Sequence, residues 1–146
     1  MIVVDASVAI KWLIPEQDEE AARSLLVDEV QLVAPAVIRV EAHSAILRSF
    51  REGKLGGKEA RAACEVFERV LEGGLLQLIS DEDIWELALK LAFQARHSFA
   101  DCLYLAVGKS VGAPVVTSDK LMAQRGGKAS VQTVLLGEYA ARGISP

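Results

Sequence analysis

The sequence predicts an α/β domain of three layers, a short and mostly parallel central sheet of about four to five strands flanked by helices. Three observations carry that expectation. Short aliphatic runs, MIVV, VQLVAP, LLQLIS, APVVT and SVQTVLL, alternate with longer stretches of helical periodicity. Those runs are apolar at most positions instead of alternating with polar residues, as strands covered on both faces require. Hydrophobic residues make up 51% of the chain and aromatic ones only 5%, so the interior is aliphatic and alanine-rich. The chain is expected to form a single domain over 1–146. At that length it buries roughly two thirds of the surface its unfolded form exposes.

The elements follow in order. Met1 to Asp5 reads as a short buried strand, and SVAIKWLI as a helix that Pro15 ends. EQDEEAARSLL continues as an amphipathic helix with an acidic start. VQLVAP is a second strand, and Pro35 leads into the helical pattern VIRVEAHSAILRSFREG, for which Gly53 is a natural stop. KEARAACEVFERVLEGG is a helix closed by glycines. LLQLIS is a third strand, followed by the helix SDEDIWELALKLAFQAR, capped by Ser80 or Asp81 with acids in its first turn, as the helix dipole prefers. SFADCLYLAVGKSVG is a helix apolar almost all round and therefore central. APVVTSDKLM gives a fourth strand and a short helix, and SVQTVLL a fifth strand.

Charge narrows the function classes. A net charge of -4 lacks the overall basic footprint of a protein that holds nucleic acid by charge alone, so a polyanionic substrate must meet a local patch or bound cations. Lys11, Arg39, Arg48, Arg51, Lys120, Arg125 and Lys128 are scattered on helices, where such residues are usually solvated faces. Cys64 and Cys102 form no CxxC pair and read as buried free thiols in a reducing compartment. No apolar stretch approaches the ~18 residues a bilayer span needs, and no basic segment precedes the first apolar run; a cytoplasmic protein without membrane association is expected.

Four carboxylates stand out. Asp5 ends MIVVD and Asp119 ends VVTSD, so both fall at the carboxyl edge of the sheet, where ligands of parallel sheets collect. Taken alone, each is as well explained as a helix N-cap. Glu41 lies close to Ile38, Ala42 and Ala45 on the helical wheel, so it needs a partner, a basic neighbour such as Arg39 or Arg48 or a cation. Asp101 sits between SFA and CLYLAV, equally apolar surroundings, although a place early in its helix also suits the dipole. Four such groups together repel one another and ask for a neutralising cation. Oxygen-only ligands suit Mg²⁺ or Mn²⁺. His43 and His97 have no ligand spacing, which disfavours zinc. A carboxylate-held Mg²⁺ or Mn²⁺ points to phosphodiester hydrolysis.

With these residues placed, the sequence resembles the PIN-domain ribonucleases, and among them the VapC-type toxins of prokaryotic toxin-antitoxin pairs. The stretches VVDASV, PAVIRVEAHSAILR and FADCLYLAVGKSVGAPVVTSD carry the resemblance over nearly the whole chain. It implies a PIN-like fold and a metal-dependent endoribonuclease acting on single-stranded or structured RNA, usually a homodimer and held inactive by a cognate antitoxin. It further implies that Asp5, Glu41, Asp101 and Asp119 are the catalytic metal ligands, with Ser7 and Thr117 as supporting hydroxyls. Ser44 stands where many relatives have Asn, and Ser118 where they often have Ala. Trp12 and Leu13, just after the first strand, are the expected apolar contacts of an antitoxin tail, with Leu13 the more deeply packed of the two.

Three rival readings fit less of the chain. A haloacid-dehalogenase-type phosphatase needs a second Asp where Ser7 stands. A receiver domain needs a phosphorylatable Asp at the end of a middle strand, but LLQLIS ends on serine. A PIN-like binding scaffold without catalysis has little reason to keep four acids together.

Overall fold

The computed structural model describes residues 1–142. Five strands form one parallel sheet: β1 (Ile2–Val4), β2 (Leu32–Pro35), β3 (Leu76–Ile79), β4 (Val115–Thr117) and β5 (Thr133–Leu135). Their spatial order is β3-β2-β1-β4-β5. The chain winds outward from β1 to β2 and β3, then crosses back to the other side of β1 for β4 and β5. The point of reversal lies between β1 and β4, and in such a sheet the crevice beyond the carboxyl ends of those two strands is the natural site for a ligand. Pairing of Val3 with Val115 and Val4 with Val116 sets Asp5 beside Thr117 just past that edge.

Helices cover both faces. α1 (Ala6–Ala9) is a single turn that tightens into a 3-10 turn, Ile10–Trp12; α2 is Glu19–Ser24, α3 Ile38–Arg51 and α4 Gly57–Glu72. α5 is Asp81–Ala95, α6 Phe99–Val111, α7 Lys120–Lys128 and α8 Leu136–Arg142. α6 is the central helix that its sequence predicts, with every residue from Cys102 to Gly108 buried. It packs along α5 and against β1 and β2. Val3, Val4, Val33, Val115 and Val116 form the sheet's part of the core, each at most 1% exposed. A smaller cluster of Ile10, Ile14, Ile46, Ala60 and Ala63 joins the first turns to α3 and α4.

The structure corrects several sequence expectations. The acidic-started helix is only six residues long, because Asp18 enters it in the left-handed conformation and Ser24 Oγ donates back to Ala21 O at 2.9 Å near its end. The fifth strand stops at Leu135, where its pairing with the three-residue β4 runs out, and the chain turns directly into α8, which the periodicity did not reveal. Cys102 is buried, but Cys64 is only half-buried; both are free. Trp12 is core, with its indole N–H donating to Ala22 O at 2.7 Å, while Leu13 is the half-buried member of the pair, the reverse of the expected order. Gly53, at φ +72°, does end α3. No helix among the described residues is long and apolar enough to cross a membrane.

Candidate active site

Asp5 anchors the site. Its side chain caps α1, with Oδ1 accepting from Val8 N–H at 3.0 Å and from Ser7 Oγ at 2.6 Å. Oδ2 accepts from Thr117 Oγ1 at 2.5 Å. The capping and site readings of Asp5 are therefore compatible, since one oxygen serves the helix and the other faces β4. Ser7 Oγ also accepts from Ser118 N–H at 2.8 Å, so this one hydroxyl ties β1 to the end of β4. Burial raises the Asp5 carboxyl pKa to about 6 against the pull of these donors, and the nearby Asp101 carboxylate pushes the same way.

Glu41 projects from the first turn of α3 at the edge of its buried stripe, Ile38, Ala42 and Ile46. Neither expected arginine meets it. Arg39 instead pairs with Glu68 of α4 at 2.6 Å, and Glu41 Oε2 accepts a short hydrogen bond from the Tyr104 hydroxyl. Burial raises the Glu41 pKa; the Tyr104 donor opposes this, while the Asp101 and Asp81 carboxylates add to it. Tyr104 itself is held far above the ordinary phenol range by burial and by Glu41, so its hydroxyl stays a donor. Sequence reasoning gave Tyr104 no role. The signal was present in the D-x-x-Y spacing, which places Asp101 and Tyr104 one helical turn apart.

Asp101 lies in the first turn of α6. Ser98 Oγ caps that helix by accepting from Asp101 N–H at 3.1 Å and donates to Asp101 Oδ2 at 2.5 Å. His97 Nε2 lies 3.1 Å from the same oxygen, although its N–H is not aligned well enough for a hydrogen bond. His43 is elsewhere, held by Arg39 O at 2.7 Å and Glu68 at 3.3 Å. Asp119 caps α7, with Oδ1 accepting from Leu121 N–H at 2.6 Å and Met122 N–H at 3.2 Å. It is exposed at the lip of the crevice, and its own N–H donates to Thr117 Oγ1 at 2.9 Å. The structure thus brings Asp101 into electrostatic range of both Asp5 and Glu41 and leaves the Asp119 carboxylate turned to its helix.

Among the described residues no group of three or more His, Cys, Asp or Glu side chains forms a preassembled metal cage. The donor set nevertheless fits a hard divalent cation. Asp5 Oδ2 accepts one hydrogen bond and keeps a lone pair, while Glu41 Oε1 and Asp101 Oδ1 accept none among the described residues. Among the described residues no hydrogen bond or ion pair joins these carboxylates to a Lys or Arg. Lys11, the basic residue on the first turns, is buried and committed to Gln17 O at 2.8 Å and Glu16 at 3.4 Å. Arg125 likewise donates to Ala95 O at 3.0 Å.

Comparison with known proteins gives a consistent result. The PIN domain family model matches residues 2–128. Ribonuclease VapC9 of Mycobacterium tuberculosis is 29% identical over 126 residues, covering 86% of this chain and 91% of that protein. Among solved structures, FitAcB from Neisseria gonorrhoeae superposes with a TM-score of 0.70 at 19% identity, covering 94% of this chain and 99% of that one. VapC20 of Mycobacterium tuberculosis, described as a Sarcin-Ricin loop cleaving toxin, superposes with a TM-score of 0.67 at 17% identity, covering 85% and 94%.

Proposed function

Because the chain belongs to the PIN-domain family, we propose that it is an endoribonuclease that hydrolyses RNA phosphodiester bonds with Mg²⁺ or Mn²⁺, and that it is the toxin of a toxin-antitoxin pair. The observation that carries this reading is the placement of Asp101 within electrostatic range of both Asp5 and Glu41 near the reversal point of the sheet, each acid with an oxygen left to offer. The names of VapC9 and VapC20 support it. Asp5, Glu41 and Asp101 would hold the cation, and Asp119 would join them from the lip. When bound, the cation supplies positive charge against the phosphoryl oxygens and lowers the pKa of a water.

The chain's own residues prepare that site. Ser7 and Thr117 fix the Asp5 carboxylate from two sides, so its orientation does not depend on a ligand. Tyr104 fixes Glu41 through Oε2 and keeps Oε1 available. Attack by water on phosphorus with departure of the 3'-oxygen leaves a 5'-phosphate and a 3'-hydroxyl. The alternative, attack by the RNA's own 2'-hydroxyl, needs an acid and base pair such as two histidines. His43, bound to Arg39 and Glu68 on α3 and α4, does not pair with His97 beside α6.

The test is direct. Purified protein freed of any antitoxin should cleave single-stranded RNA with Mg²⁺ or Mn²⁺ and stop when EDTA is added; undiminished cleavage in chelator would sink the metal assignment. As a toxin in the cytoplasm, the chain should arrest growth when expressed alone and be rescued by the small protein encoded beside it. A homodimer belongs to the same reading and would be seen as twice the chain mass in light scattering. A monomer at micromolar concentration would remove that part alone.

A further inference from the structure

His97 is buried, with its side chain 7% exposed, yet Nε2 has no properly formed hydrogen bond. A buried N–H without an acceptor is costly, so such groups are uncommon in folded proteins and call for an explanation. The acceptor nearest to it is Asp101 Oδ2 at 3.1 Å, which Ser98 Oγ already approaches at 2.5 Å. Asp101 Oδ2 therefore accepts from Ser98 with His97 Nε2 close by, while Oδ1 takes no hydrogen bond among the described residues. On its other side His97 borders an apolar hollow of about 370 Å³ lined by Trp85, Leu89, Ala92, Phe93 and Phe99.

The geometry points to His97 as a positioning residue for the metal site: its Nε2, 3.1 Å from Asp101 Oδ2 but unaligned in this structure, turns its N–H onto that oxygen beside Ser98 Oγ when Oδ1 takes the cation. The inference rests on the reading that Asp101 is a metal ligand. Nε2 carries the proton in this role, because a carboxylate oxygen can only accept. Hydrogen-bond partners of ligating carboxylates typically contribute 10–100-fold to metal affinity, because they fix the ligand's orientation before the ion arrives.

Mn²⁺ titration of the purified full chain, followed by calorimetry, tests this without reference to cleavage, with melting temperature measured alongside. His97→Phe preserves the ring's bulk and removes the donor; its Mn²⁺ affinity should fall about 10–100-fold. His97→Gln places an amide N–H near the position of Nε2 and should recover most of that loss. Equal affinity in wild type and His97→Phe, or a Gln variant no better than Phe, would overturn the proposal and leave His97 a packing residue. Asp101→Asn separates the two levels. If it binds Mn²⁺ as well as wild type, or wild type binds none, the metal reading fails and the role of His97 fails with it.

Discussion

Asp5 pays a cost for its place. Its pKa rises from 3.8 to about 6 on folding, so the folded state is favoured by protonation at this group. The penalty is absent below pH ~4, where both states are protonated, grows as pH rises, and is complete above pH ~6. At about 1.4 kcal/mol per unit, it reaches about 3 kcal/mol in metal-free protein. Asp5→Asn should therefore melt higher than wild type at pH 7.5 in EDTA, melt at about the same temperature at pH 4, and show no cleavage. A variant that melts lower at pH 7.5 would mean that the capping bond to Val8 outweighs the buried charge. Tyr104→Phe acts on the neighbouring acid. Glu41 loses its donor, and since the pair is only partly buried the stability loss should be about 1 kcal/mol, while cleavage falls at least tenfold because the carboxylate is no longer fixed. Unchanged turnover in Tyr104→Phe would show that Glu41 needs no such support.

At the scale of elements, the site depends on β1, α3, α6 and β4 meeting at fixed separations, and two glycines make the closest approaches possible. A Cβ on Gly126 of α7 would stand 1.8 Å from Thr133 Oγ1 and 3.1 Å from Val131 O, and one on Gly108 of α6 would stand 2.9 Å from Val115 Cγ2 and 3.0 Å from Ala113 O. In each case backbone as well as side chain must move. Gly108→Ala and Gly126→Ala should each destabilise the protein by about 1–3 kcal/mol, measured by urea denaturation. Gly108→Ala is expected to reduce cleavage as well, because it displaces the helix carrying Asp101 and Tyr104 against the strand that leads to Thr117. Gly127→Ala is the control, since a Cβ there meets nothing within 4 Å. If Gly126→Ala and Gly127→Ala are equally stable, α7 is not held as closely to β5 as the geometry requires.

For the whole molecule, the proposed action on RNA requires an acidic protein to meet a polyanion by some means other than its net charge. With a net charge of -4 and Asp101 in range of both Asp5 and Glu41, the proposed cation is what would admit a phosphate. Cleavage should therefore show end groups of water attack, a 5'-phosphate and a 3'-hydroxyl, and depend steeply on Mn²⁺ or Mg²⁺ concentration. Recovery of 2',3'-cyclic phosphate from the products would refute this route. The exposed Asp119 completes the picture at this scale. Its carboxylate serves α7 here, and an amide oxygen caps equally well, so Asp119→Asn should leave α7 about as stable and reduce metal affinity less than Asp101→Asn does.

The sequence by itself determined the fold class, the strands, the central position of α6 and the edge at which Asp5 and Asp119 would lie, because periodicity and strand ends are local properties written in consecutive residues. It also marked Glu41 and Asp101 as misplaced charges, since a carboxylate on an apolar stripe is visible on a helical wheel. Their partners were not visible. Tyr104 meets Glu41 across 63 positions and Thr117 meets Asp5 across 112, and no local pattern encodes such pairs. Arg39, the expected neighbour of Glu41, was drawn to Glu68 on a helix that only packing brings alongside. The order of burial of Trp12 and Leu13 was likewise decided by α2 folding over the indole and offering Ala22 O to its N–H. Which acids converge, which oxygen each keeps, and that His97 borders the site were settled by tertiary structure, because distance in space depends on the whole sheet order.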